Sequence, residues 1–160
     1  MILLIGATGF LGRHVFESLL KKGDSFSCLI RSLDRAQPLK DIARRYDKDI
    51  KFITGNLLSA DSVYNSLEGI DKIIYLVRLE YKEHIRNLIS SIKRRDIKRA
   101  VFISSTTVLV PLENGIKKDK LESEELIRNS GIDYTILRPS MIYGGRGDYN
   151  FSRMIDFIKR

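Results

Sequence analysis

Met1-Ile-Leu-Leu-Ile-Gly-Ala-Thr-Gly-Phe-Leu-Gly12 opens the chain and decides its fold. The first five residues are all apolar, which predicts a strand buried on both faces, as in a parallel sheet. Three glycines at a spacing of three follow: Gly6, Gly9 and Gly12. From Arg13 the apolar residues recur with helical spacing, and Gly23 marks the end of that helix. The stretch therefore predicts a strand, a glycine turn and an amphipathic helix.

The glycine turn has the residue types that a dinucleotide-phosphate site needs. A turn without Cβ atoms lets the backbone approach a diphosphate closely. The N–H groups and the positive dipole end of the following helix point at that anion, and Gly12 allows tight packing of the helix on the strand. The alternative is a tight strand-to-helix turn that holds no ligand. Because a strand precedes the glycines and a helix follows them, the pattern favours the ligand site.

Length and composition are typical of one globular domain. The 160 residues can bury one sizeable core, and no stretch approaches the ~20 apolar residues of a membrane span. Met1 leads directly into a core strand, so we expect no cleaved leader. Cys28 is the single cysteine, lies in a predicted core strand and can form no internal disulfide. These features predict a reducing, cytoplasmic setting.

The net charge of +8 raises the question of a nucleic-acid partner. Most of the excess lies in separate helical patches without interleaved aromatic residues, namely Lys21-Lys22, Arg44-Arg45 and residues 93–99. Such patches are typical of solvated helix faces, and we expect no nucleic-acid and no membrane partner. His14 and His84 stand apart from any acid or cysteine cluster, so we also expect no metal.

Six apolar segments alternate with helical patterns along the chain. Strands are predicted at residues 1–5, 25–30, 49–54, 71–77, 99–104 and 133–137. Helices are predicted after Arg13, at 38–46, from Ser59 or Asp61 to 67, at 80–95, at 116–129 and from about Tyr149, beyond a turn at residues 143–147. This alternation predicts an α/β, doubly wound parallel (Rossmann-like) sheet of strand order 3-2-1-4-5-6. Ligands then bind between strands 1 and 4, at their carboxyl ends.

A series of motifs carries a family resemblance. In order they are Gly6–Gly12, Leu29-Ile-Arg31, Gly55-Asn-Leu57, Asn87-Leu-Ile, Val101-Phe-Ile-Ser-Ser105, Lys120-Leu-Glu-Ser-Glu124, and Tyr134-Thr-Ile-Leu-Arg-Pro139 through Tyr143-Gly144. The run resembles the extended and atypical short-chain dehydrogenase/reductases, above all NmrA-like and nucleoside-diphosphate-sugar-epimerase-like members. These proteins usually continue well beyond the sixth strand, into a part that shapes the substrate pocket. We therefore expect residues 1–160 to form a single NAD(P)-binding domain lacking that C-terminal part.

The end of the second strand bears on the cofactor. NAD-binding versions of the fold place an acidic residue there for the ribose hydroxyls. This chain has Arg31, with Ser32 next to it and Arg35 close behind. A guanidinium suits a 2′-phosphate, with help from Arg13 at the helix start, so we expect NADP, with NAD as the alternative.

The resemblance also implies a set of cofactor-binding residues. Asn56 replaces the Asp that the family usually has near the adenine, and its amide still offers a donor and an acceptor. Val77-Arg78 departs from the small residues usual at that position; Arg78 either contacts the diphosphate or crowds the site. The expected contacts are Gly6, Thr8, Gly9, Phe10, Leu11, Gly12, Arg13, Arg31, Ser32, Asn56, Leu57, Val77, Arg78, Lys120 and Pro139.

The family's usual catalytic pattern is incomplete here. Reductases of this superfamily commonly use Ser together with Tyr-x-x-x-Lys, in which the lysine lowers the tyrosine pKa. Lys120 matches the lysine and Ser105 or Thr106 the serine, but Ile116 occupies the tyrosine position. Three possibilities follow. Lys120 acts alone or through water, or Tyr143 or Tyr81 takes the place of the missing tyrosine, or the domain catalyses no reaction. Lys120 can also be a surface lysine paired with Glu124.

The expected function is NADPH-dependent reduction of a small carbonyl or enone compound, by Lys120, Ser105 and Tyr143. Two alternatives stay open: a nucleoside-diphosphate-sugar epimerase or dehydratase, and a non-catalytic dinucleotide-binding redox sensor or assembly protein. The substrate is an unknown small molecule, and a homodimer is compatible with the sequence.

Overall fold

A six-stranded parallel sheet forms the centre of the protein, which we describe from a computed structural model covering residues 1–111, 114–144, 148, 157 and 158. The strand order is β3-β2-β1-β4-β5-β6, so the expected doubly wound topology is confirmed. The strands are β1 Ile2–Ile5, β2 Phe26–Ile30, β3 Lys51–Thr54, β4 Lys72–Tyr75, β5 Arg99–Ile103 and β6 Tyr134–Leu137. The order reverses beside β1, which pairs with both β2 and β4 and thereby opens a crevice at their carboxyl ends.

Five α-helices cover the two faces of the sheet within the described residues. They are α1 Phe10–Lys22, α2 Gln37–Arg45, α3 Ala60–Ser66, α4 Lys82–Arg94 and α5 Gly115–Arg128. Helix α1 begins at Phe10, three residues before the expected start, so that Gly12 lies inside its first turn. Two short 3₁₀ helices, Leu33–Ala36 and Thr106–Leu109, occupy segments for which neither a strand nor a helix is predicted from the sequence. The helix expected from Tyr149, and most of the turn expected at residues 143–147, lie outside the described residues.

The core has two layers because both faces of the sheet are covered. Leu4, Cys28 and Ile30 pack with Phe16 and Leu39 against α1 and α2. The opposite face buries another cluster under α3, α4 and α5: Leu3, Ile5, Ile73, Tyr75, Leu88, Ile92 and Phe102. This two-sided burial accounts for the continuous apolar character of the strands.

Cys28 and the helix caps agree with the sequence-based expectations. Cys28 is fully buried as a free thiol, and burial raises its pKa. Ser59, one of the two predicted caps, accepts a hydrogen bond from the backbone N–H of Ser62 at 3.2 Å. Gly23 ends α1 in the left-handed conformation. Within the part of the chain that the structure describes, no helix is long and apolar enough to cross a membrane.

Candidate functional site

Two of the three glycines at the end of β1 are required by the fold itself. Gly6 has a φ of +92°, a conformation that side chains disfavour. A Cβ on Gly12 would lie 2.1 Å from the carbonyl oxygen of Gly6, which no side chain can occupy. Gly12 therefore permits the first turn of α1 to sit directly on the end of β1, as predicted.

Gly9 is different, because the protein itself does not require its missing side chain. Its φ of −74° is open to any residue, and a Cβ would meet only the Gly6 carbonyl oxygen, at an ordinary 3.4 Å. Gly9 precedes α1 without a side-chain cap, so the N–H groups of Phe10, Leu11 and Gly12 have no acceptor among the described residues. A glycine here leaves room for an anion at these donors.

The turn opens into a cavity of about 820 Å³ at the carboxyl ends of β1, β2, β3 and β4. This volume is in the range of cofactor pockets, roughly 300–1,000 Å³. Eight predicted cofactor residues line it: Gly6, Thr8, Gly9, Arg31, Asn56, Leu57, Val77 and Arg78. The other predicted cofactor residues are not part of its wall: Phe10, Leu11, Gly12, Arg13, Ser32, Lys120 and Pro139.

The arginines of this cavity fall into two groups. Arg78 pairs with Glu80, and Arg86 pairs with Glu83 at 3.2 Å. Arg31, by contrast, has no carboxylate within ion-pair distance among the described residues, and neither does Arg35 in the following 3₁₀ helix.

Asn56 uses its amide oxygen locally. The Asn56 side chain accepts a hydrogen bond from the backbone N–H of Leu58 at 3.0 Å, which fixes the loop after β3. Asn87 on α4 donates to the carbonyl of Leu57 at 3.0 Å, so its side chain has a structural bond rather than simple solvation. These two amides hold the loop that carries Asn56 and Leu57 at the cavity wall.

Sequence reasoning missed the contribution of α4 to the cavity. Tyr81, Lys82, Glu83, His84 and Arg86 line it from the amino end of this helix. Only Tyr81 was a candidate, and for catalysis. The available signal was their position: they follow β4, whose carboxyl end lies beside the glycine turn.

A second group of polar side chains lies at the carboxyl end of β5. Lys120 on α5 donates hydrogen bonds to Ser105 at 3.2 Å and to Thr107 at 3.4 Å. Ser105 and Thr107 also share a hydrogen bond. The structure therefore brings Lys120 and Ser105 together as the resemblance implies. Ile116, one turn before Lys120 on α5, is half exposed and supplies no proton.

The two tyrosines considered as substitutes lie in different surroundings. Tyr143 is 65% exposed. Tyr81 lines the cavity, where it contacts His84 and lies 6.0 Å below the guanidinium of Arg78. Neither tyrosine has a hydrogen bond to Lys120 among those that the structure describes.

The idea that Lys120 is a surface lysine paired with Glu124 is wrong. Glu124 is fully buried and binds Arg128, at 2.6 Å, and Arg138. Burial alone would raise the pKa of Glu124, but the hydrogen bonds from Arg138 and the charges of both arginines bring it below its usual value. This pairing joins α5 to the end of β6, next to Pro139, and so fixes the helix that carries Lys120.

Metal binding has no support among the described residues. No group of three or more His, Cys, Asp or Glu side chains converges there in a way that could hold a metal ion.

Residues 6–155 match the protein family described as NAD(P)H-binding. The match covers nearly the whole chain, so the chain belongs to this family and carries an NAD(P)-binding domain. These residues fit a dinucleotide: the glycine turn, the Arg31 guanidinium and the Arg35 guanidinium line one cavity, and the first turn of α1, whose N–H groups have no acceptor in the described part of the chain, directly follows Gly9. The resemblance to atypical short-chain dehydrogenase/reductases is confirmed.

The alignments with individual relatives extend over most of this chain. It is 33% identical over 150 residues to the Photosystem II assembly factor Ycf39 of Cyanophora paradoxa, covering 86% of this chain and 44% of that protein. It is 29% identical over 147 residues to Quinone oxidoreductase 2 of Escherichia coli (strain K12), covering 86% of this chain and 48% of that protein. The crystal structure of the NADPH-dependent quinone oxidoreductase QOR2 from Escherichia coli complexed with NADPH superimposes with a TM-score of 0.73 at 28% identity, over 86% and 48% of the two chains. The chain thus spans about half the length of these relatives.

Proposed function

We propose that this member of the NAD(P)H-binding family binds NADPH and reduces a small carbonyl or enone compound. The observation that carries the cofactor assignment is the presence, in the cavity that begins at the glycine turn, of two guanidiniums, Arg31 and Arg35, that have no carboxylate partner among the described residues. An NAD site would need an acceptor for the ribose hydroxyls there, whereas two guanidiniums suit a phosphate. The similarity to an NADPH-dependent quinone oxidoreductase supports the same assignment.

Each part of the dinucleotide has a candidate partner. The N–H groups of α1 next to Gly9 would hold the diphosphate, and Arg31 the 2′-phosphate. Asn56 would lie near the adenine. Lys120 would bind the nicotinamide ribose, and Pro139 would turn the chain beside the nicotinamide ring.

The reducing step needs a hydride and a proton. A nicotinamide bound in this site would supply the hydride for the carbonyl or enone carbon. Ser105 is the group best placed to hydrogen-bond the substrate oxygen, because it lies at the carboxyl end of β5 and is already bonded to Lys120. The Lys120 ammonium then stabilises negative charge on that oxygen and provides its proton through the Ser105 hydroxyl or a water molecule.

A non-catalytic assembly or sensor protein is the second candidate. Ile116 in place of the tyrosine removes the family's usual proton donor. The 33% identity to a Photosystem II assembly factor favours this alternative independently. The missing tyrosine counts more strongly against a sugar-nucleotide epimerase or dehydratase than against a reductase.

Binding and turnover measured on the same protein separate the two candidates. NADPH affinity is measured by calorimetry, and NADPH oxidation is followed at 340 nm with a panel of quinones, enones and small aldehydes. A reductase shows turnover that Lys120→Ala reduces strongly and that Lys118→Ala, an exposed lysine on the same helix, leaves unchanged. Tight binding without turnover on any acceptor would favour the assembly protein. Failure to bind either NADPH or NADH would overturn both.

A further inference from the structure

His84 on α4 lies in the wall of the same cavity as Arg31 and Arg35, although it is far from both arginines in sequence. Its ring contacts that of Tyr81, with 5.1 Å between ring centroids. Its Nδ1 atom is buried and has no hydrogen-bond partner among the described residues. No hydrogen bond at Nδ1 therefore fixes the protonation state of the imidazole, so a charged ligand in the cavity can change it.

The charged surroundings of His84 are mostly positive. Arg31 and Arg35 come from the end of β2 and the 3₁₀ helix after it, and neither has an acidic partner in the described part of the chain. The other charged or titratable groups at this cavity come from the β4–α4 connection and from α4 itself, and they include Tyr81 and Lys82. The two arginines of this segment are neutralised locally, Arg78 by Glu80 and Arg86 by Glu83. Lys82 is engaged by Asp119 and Glu122 of α5.

We propose that His84 is a specificity-determining residue that takes up a proton when the 2′-phosphate of NADP(H) binds beside Arg31. The preference for NADP(H) over NAD(H) then increases as the pH falls. This inference rests on the proposed NADPH-binding function and assigns a third residue, on α4 rather than at the end of β2, to the recognition of the phosphate.

The direction follows from the charges. In the protein alone, burial lowers the pKa of His84, and the nearby Arg31 guanidinium lowers it further, against a weaker opposing effect of Glu83. A phosphate carries ~1.5–2 negative charges near neutral pH, so it offsets the effect of Arg31 and stabilises the imidazolium. The pKa of His84 is therefore higher in the NADPH complex. A group with a higher pKa in the complex binds protons on complex formation and strengthens binding as the pH falls.

The chain offers a matched control, because it contains only two histidines. His14 lies on α1, contacts Phe10 and is not part of the cavity wall. His84→Gln and His14→Gln therefore remove the same side chain inside and outside the site. NADH serves as the matched ligand without the 2′-phosphate.

The experiment is calorimetric titration with NADPH and NADH at pH 6–8, in buffers of different ionisation enthalpy. We expect uptake of a few tenths of a proton with NADPH near pH 6.5, and none with NADH. We also expect the wild-type NADPH/NADH affinity ratio to rise between pH 8 and pH 6 relative to that of His84→Gln, by up to about tenfold for a pKa rise of one unit. Titration of the 2′-phosphate itself would release protons on binding rather than take them up, because the arginines favour the phosphate dianion.

Two results would overturn the inference. The first is proton uptake that persists in His84→Gln or disappears in His14→Gln. The second is the same pH dependence of the affinity ratio in the wild type and in His84→Gln. If neither nucleotide binds, the proposed function fails instead, so the two failures are distinguishable. Far-UV circular dichroism and thermal unfolding of both variants establish that they are folded.

Discussion

Gly9→Ala separates a glycine required by a ligand from one required by the fold. In the protein alone the added methyl group would meet only the Gly6 carbonyl oxygen, at 3.4 Å, and the backbone of Gly9 is in an ordinary extended conformation. We therefore expect the free energy of unfolding to change by no more than about 1 kcal/mol, and to rise rather than fall, since alanine restricts the unfolded chain.

Binding should respond very differently. The methyl group would occupy the space that lets a diphosphate reach the free N–H groups at the start of α1. Loss of one hydrogen bond to a charged group costs about 1.5–3 kcal/mol, which weakens NADPH binding by roughly 10- to 150-fold. The assay is calorimetric or fluorescence titration with NADPH beside thermal unfolding of the same preparation.

Two other glycines provide the controls for Gly9→Ala. Gly115 begins α5, and a Cβ there would meet nothing within 4 Å, so Gly115→Ala should change neither binding nor folding appreciably. Gly12→Ala should destabilise the protein itself, because its Cβ would lie 2.1 Å from the Gly6 carbonyl oxygen. If Gly9→Ala bound NADPH as tightly as the wild type while remaining folded, the diphosphate would not lie at this turn.

Three further substitutions test other parts of the site. Arg31→Asp should reverse the cofactor preference, because it weakens NADPH binding by roughly tenfold or more while leaving NADH binding unchanged. Equal affinities of the wild type for NADPH and NADH, measured by titration, would refute the role of Arg31. Ile116→Tyr places a phenol one turn before Lys120 and should raise NADPH oxidation with carbonyl acceptors at least severalfold in steady-state assays, whereas unchanged turnover argues against a catalytic Lys120. Glu124→Gln leaves Arg138 without its carboxylate and should lower the free energy of unfolding by about 1–3 kcal/mol, because the partly exposed arginine keeps some of its hydration. Because the folded-state pKa of Glu124 is lowered, its wild-type contribution is present above the usual carboxylate range and is lost as the pH falls; denaturant unfolding that shows the same acid dependence in both proteins contradicts this.

Patterns in the sequence were sufficient for the fold and for the glycine turn. A mostly apolar strand is typical of a parallel sheet covered on both faces, and six such segments alternating with helices predict the doubly wound topology. The spacing of Gly6, Gly9 and Gly12 likewise has a local meaning that does not depend on distant residues. Arg31 could be placed because a strand's carboxyl end is recognisable from where its apolar run stops.

Contacts between distant segments could not be read from such patterns. His84 lines the same cavity as Arg31 because β4 lies beside β1, and the sequence around either residue gives no indication of the other. The helical spacing left a pairing of Glu124 with Lys120 open as an alternative, yet the end of β6 brings Arg138 to Glu124. The charge of Arg138 and the burial of the site then outweigh the local i, i+4 pairing, whose contribution is only a few tenths of a kcal/mol.

The central claim is that the free backbone N–H groups at the start of α1 bind the diphosphate of NADPH. A crystal structure of the protein with NADPH tests it most directly. We expect diphosphate oxygens within about 3 Å of the N–H groups of Phe10 and Leu11, with the 2′-phosphate beside Arg31. A dinucleotide bound elsewhere, or a complex in which Gly9 borders empty solvent, would contradict the account.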